Sequence, residues 1–319
     1  MSDVLFIKTS SLGDVIHHMP AVTEVRRNRP QARISWLVEE AFAPLVRLHA
    51  AVDVVIPVAS RRWRWQPHRL ASWRELKDFV VGLRAQPYDE IVDSQGLVRT
   101  AVMAKLARGR RHGYDAQSVR EPPASRFYDV VHHVDRGLHA IVRNRLLTAL
   151  ALGHAPDGVL DFGLDRAGLA SLEAPARAPY GILLHATARH GKEWPEQSWI
   201  DLGRMLSGRG VELLLPWGTG VERDRSARIA AALGRARVPD RGPLDAVARL
   251  IAGASFVIGV DTGLLHLAAA LGVPLVGIFV GSEPGLTGPM GMGQIAVVGG
   301  KAAPPSAGEV VAALAGIGR

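Results

Sequence analysis

Residues 4–18 read Val4-Leu5-Phe6-Ile7-Lys8-Thr9-Ser10-Ser11-Leu12-Gly13-Asp14-Val15-Ile16-His17-His18. The apolar run Val4–Ile7 does not alternate with polar residues, as expected of a strand buried on both faces of a parallel sheet. The strand ends at Lys8, and a turn of hydroxyls and one glycine follows. A segment of helical period then runs over Val15–Asn28. Strand, tight polar turn and helix form the repeating unit of a doubly wound α/β domain.

The same rhythm recurs along the chain. In the first half, strands are expected at Ile34–Val38, Val54–Val58 and Glu90–Asp93. In the second half they are expected at Gly181–His185, Val211–Leu215, Ala236–Val238, Phe256–Val260 and Leu275–Phe279. Helical period marks Ser72–Arg84, Trp199–Ser207, Arg223–Leu233 and Gly263–Leu271. The stretch Gly153–Pro179 breaks the pattern with Pro156, Pro175 and Pro179 and reads as the interdomain connection, with a strand near Val159–Leu164. The expected fold class is α/β: two Rossmann-like, doubly wound parallel-sheet domains, 1–160 and 161–319, facing a central cleft. The final helix is expected to pack back on the first domain. Ligands of such folds sit at the strand C-termini.

Composition agrees. A chain of 319 residues, 48% hydrophobic and 21% charged, fills two cores and is not globally disordered. The net charge of +8 favours an acidic partner: nucleic acid, an anionic membrane face, or a phosphorylated or carboxylated substrate. Arginine carries nearly all of it, since lysine occurs only at Lys8, Lys77, Lys105, Lys192 and Lys301. There is no cysteine, which excludes disulfides, thiol catalysis and cysteine-ligated metal. No signal-peptide pattern opens the chain. The most apolar stretch, Leu267–Val280, is broken by Gly272, Pro274 and Gly277 and is too short to span a bilayer. A cytoplasmic protein with peripheral membrane contact is expected.

Four loops carry chemistry. The first, Lys8–Asp14, is neither a Walker A loop nor a G-x-G-x-x-G fingerprint. Asp14 suits a helix cap, and equally a carboxylate that takes a proton from an attacking hydroxyl. The second, Ala186–Pro195, offers Thr187 and Lys192 to a diphosphate. The third, Trp217–Glu222, places Glu222 at a helix start, as a dipole-favoured acid or a ribose acceptor. The fourth, Asp261-Thr262-Gly263-Leu264-Leu265-His266, sets free amides at a helix N-terminus, with His266 one turn further on the side of Thr262.

Residues 58–69, VASRRWRWQPHR, read as a basic, aromatic loop in which Arg61, Arg62 and Arg64 interleave with Trp63 and Trp65. Guanidinium forks suit phosphate and carboxylate, and indoles suit an interface. The same set serves single-stranded nucleic acid, or an exposed edge with Arg packed on Trp. Gln95, just past a strand end, is expected to face the cleft.

Taken together, FIKTSSLGDVIHHMPAV, SWLVEEAF, the RRWR segment, DSQGLVRTA, REPPASRFY and GVDTGLLHLAAAL resemble the heptosyltransferases of lipopolysaccharide inner-core synthesis, which are ADP-heptose-using glycosyltransferases of the GT-B fold. The likeness runs over almost the whole chain. It is nearest to the heptosyltransferase I branch, whose members add the first heptose. The resemblance implies an inverting transfer of L-glycero-D-manno-heptose from ADP-heptose to the Kdo residue of Kdo-lipid A, at the cytoplasmic face of the inner membrane. It implies a first domain for the acceptor and a second for the donor. Asp14 matches the family's proposed general base, and Lys192 is the second catalytic candidate. Thr187, Lys192, Glu222, Asp261, Thr262, Gly263 and His266 match the donor site, with Gly13 added from the first loop. Ser10, Ser11, Arg61, Arg62, Arg64, Gln95, Arg120 and His139 are the acceptor candidates. Ala188 stands where the family often has a second Thr, and Gly242 lies near a position often held by a bulky residue beside adenine.

No cofactor is expected to be required. No DxD-like motif follows a strand, and the adjacent pairs His17–His18 and His132–His133 make poor chelates. A monomer is the default, and nucleic acid is not an expected partner. Three rivals remain: heptosyltransferase II or another ADP-heptose transferase with a different acceptor, a nucleotide-sugar epimerase, and a non-catalytic basic anion-binding protein. Product analysis separates the first two. Salt-dependent binding without ADP release marks the third.

Overall fold

A computed structural model describes residues 2–172, 179–187, 190–208, 210–281, 284–301 and 303–317. The chain divides into two compact units, Met1–Gly163 and Leu164–Arg319.

The first unit contains β1 (Asp3–Ile7), α1 (Leu12–Asn28), β2 (Arg33–Glu39), α2 (Ala43–Val46), β3 (Val54–Val58), α3 (Ser60–Trp65), α4 (Leu70–Ala85), β4 (Pro87–Asp93), α5 (Val98–Leu106), β5 (Arg108–Tyr114), β6 (Val130–His132) and α6 (Ala140–Leu152). The second contains α7 (Arg166–Ser171), β7 (Tyr180–Leu184), α8 (Glu196–Ser207), β8 (Glu212–Leu214), α9 (Gly220–Ala231), β9 (Ala236–Arg237), α10 (Leu244–Ala252), β10 (Phe256–Val260), α11 (Gly263–Ala270), β11 (Leu275–Phe279), α12 (Pro284–Thr287), β12 (Ile295–Gly299) and α13 (Ala307–Ile317).

Each unit has one six-stranded sheet, ordered β3-β2-β1-β4-β5-β6 and β12-β11-β10-β7-β8-β9. Every strand pair is parallel. Counted from its own first strand, the second sheet repeats the order of the first. In both, the chain reverses direction across the sheet beside the first strand. The crevice at that reversal is where doubly wound sheets bind ligands. The topology therefore selects two places: the C-terminal ends of β1 and β4, and those of β7 and β10.

The central strands are apolar because both faces are covered. Val4, Leu5, Phe6 and Ile7 are wholly buried, as are Val257, Ile258 and Val260. Trp194, Trp199, Leu202 and Leu206 fill the core beside β7 and β8, and α13 lies on α8, β11 and β12. In the first unit α1 packs on α6, where the fully buried Glu24 carboxylate is met by Arg145 at 2.9 Å.

Four expectations change. β5, Arg108-Gly109-Arg110-Arg111-His112-Gly113-Tyr114, has no apolar run and is a strand because β4 and β6 pair with it on either side. The edge strands β6 and β12 were likewise not legible. The strand expected at Val159–Leu164 does not form. Gly158 and Gly163 take φ of +77° and +64°, and the Asp161 carboxylate accepts the Gly163 N–H at 2.8 Å, curling the segment into a turn. Finally, the basic segment expected as a loop contains the helix α3, pinned to α4 because Glu75 accepts both the Trp63 indole N–H (2.9 Å) and an Arg62 guanidinium (2.7 Å).

Candidate active site

In the first unit the loop after β1 is tied down on both sides. Its Thr9 carbonyl accepts from Glu39 N–H at 3.1 Å, and Ser94 N–H donates to the Ile7 carbonyl at 3.2 Å. Lys8 turns inward, with its ammonium on the Ser94 carbonyl at 2.7 Å and near the Asn144 side-chain oxygen at 3.4 Å. Burial lowers the Lys8 pKa, while the charges of Asp14 and Asp93 oppose that shift. Asp93 is itself wholly buried. Its carboxylate accepts from Gln95 N–H (2.9 Å), Gly96 N–H (3.3 Å) and the Tyr128 hydroxyl (2.8 Å), and burial raises its pKa.

On this base sit the predicted residues. Gln95 is buried, and its amide oxygen accepts the Ser10 N–H at 3.1 Å. Asp14 is the third residue of α1 rather than its N-cap, a position held by Ser11. Its carboxylate accepts Ser11 N–H at 2.8 Å and Ser11 Oγ–H at 3.2 Å. Gly13 is the second residue of the same turn. The exposed Arg120 brings a guanidinium nitrogen to 3.8 Å from Asp14 Oδ2. Ser10, Ser11, Asp14, Gln95 and Arg120 are thus one cluster.

Arg99, which sequence reasoning passed over, belongs to it: its guanidinium donates to Ser10 Oγ at 2.9 Å. Burial lowers its pKa, the neighbouring charges of Arg64 and Arg61 act in the same direction, and those of Glu39 and Glu121 oppose them. A guanidinium on Ser10 suits a carboxylate or phosphate. The Arg61 guanidinium stacks over Phe42 at 5.3 Å while its backbone N–H donates to the Glu39 carboxylate, and Arg64 is exposed. Two acceptor candidates have other work. Arg62 is held between Glu40 (3.0 Å) and Glu75 (2.7 Å), so its charge is already met. His139 is the N-cap of α6, its Nδ1 accepting Ile141 N–H at 3.2 Å, with its ring edge-on to His17.

In the second unit three predicted residues converge on a fourth, Asp261, which directly follows β10. Thr187 Oγ1 donates to the Asp261 carbonyl at 3.0 Å. The Lys192 ammonium is hydrogen-bonded to the Asp261 carboxylate. His266 Nε2 lies 3.8 Å from its other oxygen. Thr262 is the N-cap of α11, and Gly263 is the first residue of that helix, so the amides of its first turn open beside this cluster. Ala188 and Arg189 lie outside the described residues.

A cleft of about 630 Å³, lined among others by Thr187, Glu193, Glu222, Arg225 and Arg228, adjoins Thr187. That volume is in the range of small-ligand sites. Glu222 turns its carboxylate back on its own loop, accepting Gly218 N–H (2.6 Å) and Thr219 N–H (3.1 Å) in a capping box. Arg225, also missed from sequence, fixes the cleft wall by donating to the carbonyls of His185 and Trp194 and pairing with Glu193 at 3.2 Å. Gly242 lies just before α10, where an added Cβ would come within 3.1 Å of Ala246 Cβ. Among the described residues no three His, Asp or Glu side chains gather as a metal set, and no helix is long and apolar enough to cross a membrane.

The chain is similar to known proteins. Residues 77–310 match the model of glycosyltransferase family 9 (heptosyltransferase). The chain is 45% identical to lipopolysaccharide heptosyltransferase 1 of Pseudomonas aeruginosa over 297 residues, covering 92% of this chain and 82% of the relative. Two solved structures of the E. coli heptosyltransferase WaaC are similar to it. The one with ADP superposes with a TM-score of 0.91 at 39% identity, covering 97% of this chain and 98% of the other. The one with ADP-2-deoxy-2-fluoro heptose gives 0.87 at 38%, with the same coverage.

Proposed function

Since the chain belongs to glycosyltransferase family 9, the heptosyltransferases, and has the GT-B fold, we propose that it transfers L-glycero-D-manno-heptose from ADP-heptose to the Kdo residue of Kdo-lipid A, with inversion. The observation that carries the reading is its near full-length identity of 45% to a lipopolysaccharide heptosyltransferase 1. The Thr187–Lys192–Asp261–His266 cluster beside the α11 amides gives the donor a chemically suited seat.

In this reading Units 1–163 and 164–319 take acceptor and donor respectively. Asp14, held on Ser11, takes the proton from a Kdo hydroxyl. The hydroxyl oxygen bonds to the anomeric carbon of the heptose. The bond from that carbon to the β-phosphate oxygen breaks with its electron pair leaving on ADP, and configuration inverts. Lys192 leaves the Asp261 carboxylate for the departing diphosphate, and the first amides of α11 share its charge. Arg99 and Arg120 meet the acceptor's carboxylate from the side of Ser10 and Asp14. The route draws on no cofactor. Since the acceptor is a lipid, the protein works at the cytoplasmic face of the inner membrane.

The test is ADP release from ADP-heptose with and without Kdo-lipid A. Release that needs Kdo-lipid A, with a heptosylated product, supports the reading. Release only with an already heptosylated acceptor would move the assignment to a second-heptose transferase. Free heptose without acceptor would make the protein a hydrolase or epimerase.

A further inference from the structure

We propose that the outer face of the α3–α4 hairpin is a docking surface for a bilayer containing acidic phospholipid. The inference builds on the reading above for its purpose, bringing the first unit to a lipid-borne acceptor. The binding itself stands on the surface.

The helix α4 is apolar on two faces, and the fold uses one. Ser72 and Leu83 are buried, and Phe79 lies against the Trp63 ring at 5.6 Å. On the other side Leu70, Trp73, Lys77 and Val81 follow one another at three- and four-residue steps, which aligns them along the helix. Leu70 is 76% exposed, Trp73 61% and Val81 59%, and Trp65 at the end of α3 is 80% exposed. A solvated surface helix typically keeps its large apolar residues on the core side, and single exposed ones are ordinary, but here four gather on one hairpin. The Trp73 ring is also fixed: its indole N–H donates to the Pro67 carbonyl at 2.9 Å.

Charge chooses the occupant. Arg64, Arg69, Arg74, Lys77 and Arg84 have no acidic partner among the described residues, and Glu75 is occupied by Arg62 and Trp63. The hairpin is therefore strongly cationic around an apolar centre of Trp and Leu. Interfacial helices on anionic lipid have this composition, with long cationic side chains reaching the headgroups and indoles at their level. Trp65 and Trp73 suit either occupant, while Leu70 and Val81 beside them suit lipid and not a base, which favours lipid over single-stranded nucleic acid.

Placement links the surface to the chemistry. Ser60 Oγ–H (2.6 Å) and Arg61 N–H (3.0 Å), at the start of α3, both donate to the Glu39 carboxylate. Glu39 N–H in turn donates to Thr9, in the loop that leads to Asp14. A bilayer under the hairpin thus lies beside the loop that receives the acceptor sugar.

The experiment is co-sedimentation of the full chain with phosphatidylcholine vesicles, with and without phosphatidylglycerol, in the absence of any sugar substrate. Two paired variants are compared, L70S/W73S and R74E/K77E. The wild type is expected to bind the phosphatidylglycerol vesicles, less so as salt rises, and to leave the neutral ones unbound. Removing a cation lowers binding about fivefold, and reversing it lowers it further. The apolar pair costs about tenfold or more. Melting temperature, and turnover with a water-soluble, acyl-free Kdo acceptor, stay at wild-type values in L70S/W73S. No binding to the acidic vesicles, equal binding to neutral ones, or wild-type binding by both variants overturns the docking surface. So does binding to a single-stranded oligonucleotide that L70S/W73S abolishes. Failure of the wild type on the soluble acceptor overturns the transferase reading and leaves vesicle binding as an independent result.

Discussion

The Asp14 carboxylate accepts the backbone N–H of Ser11 at 2.8 Å, so the proposed base is also the residue that closes the first turn of α1. The two roles separate by substitution. Asp14→Asn keeps a side-chain oxygen for Ser11 but cannot take a proton. Its melting temperature should stay near wild type while turnover falls about 10²–10⁴-fold. Asp14→Ala loses both, with about 1 kcal/mol of stability going with the cap. Steady-state kinetics beside a thermal melt reads both numbers. Turnover retained in Asp14→Asn removes Asp14 as the base.

Lys192 is the cation held on Asp261 at the mouth of α11. Lys192→Gln should lower kcat by about 10²–10³-fold at saturating ADP-heptose, because the charge it meets grows only as the diphosphate departs. An unchanged kcat with a raised donor KM would make Lys192 a ground-state anchor.

Arg99 reaches Ser10 from α5 with its guanidinium, a group suited to the acceptor's carboxylate. Arg99→Met should raise the KM for the Kdo acceptor about 10–100-fold, the usual worth of a hydrogen bond to a charged group. The KM for ADP-heptose should not move. Parallel kinetics with each substrate varied checks this, and equal shifts in both would place the effect in folding.

Stability should fall in mild acid. His49, among Met19, Thr23 and Ala51, and His185, on Ser226 at 2.7 Å, are both held down to about 4, chiefly by burial. Their unfolded value is about 6.5. Above that both are neutral folded and unfolded. As pH drops from there towards 4 the unfolded chain binds more protons, and each His withdraws up to about 3 kcal/mol. Burial also pushes His18 well below its usual value, adding to the same trend. Urea unfolding across this window, with His49→Gln expected to flatten its share, is the check. A flat profile would mean that these rings are solvated.

The sequence by itself determined the parallel α/β class. Buried strands such as Val4–Ile7 and Phe256–Val260 are continuous apolar runs, and capped helices announce themselves within a few residues. These are local signals, set by what each segment must bury or satisfy. Tertiary structure alone decided what has no local signature. β5 is a strand of arginine, glycine and histidine because its neighbours offer backbone partners on both edges. His139 and Arg62 proved to be engaged in a helix cap and in ion pairs, since partners distant in sequence, or hidden in backbone, decide how a polar side chain is used. Lys8, Asp93 and Arg99 gather near Asp14 because strand order sets β4 beside β1, bringing residues 85 or more apart into hydrogen-bond range. No spacing along the chain encodes that adjacency; the packing of the sheet creates it.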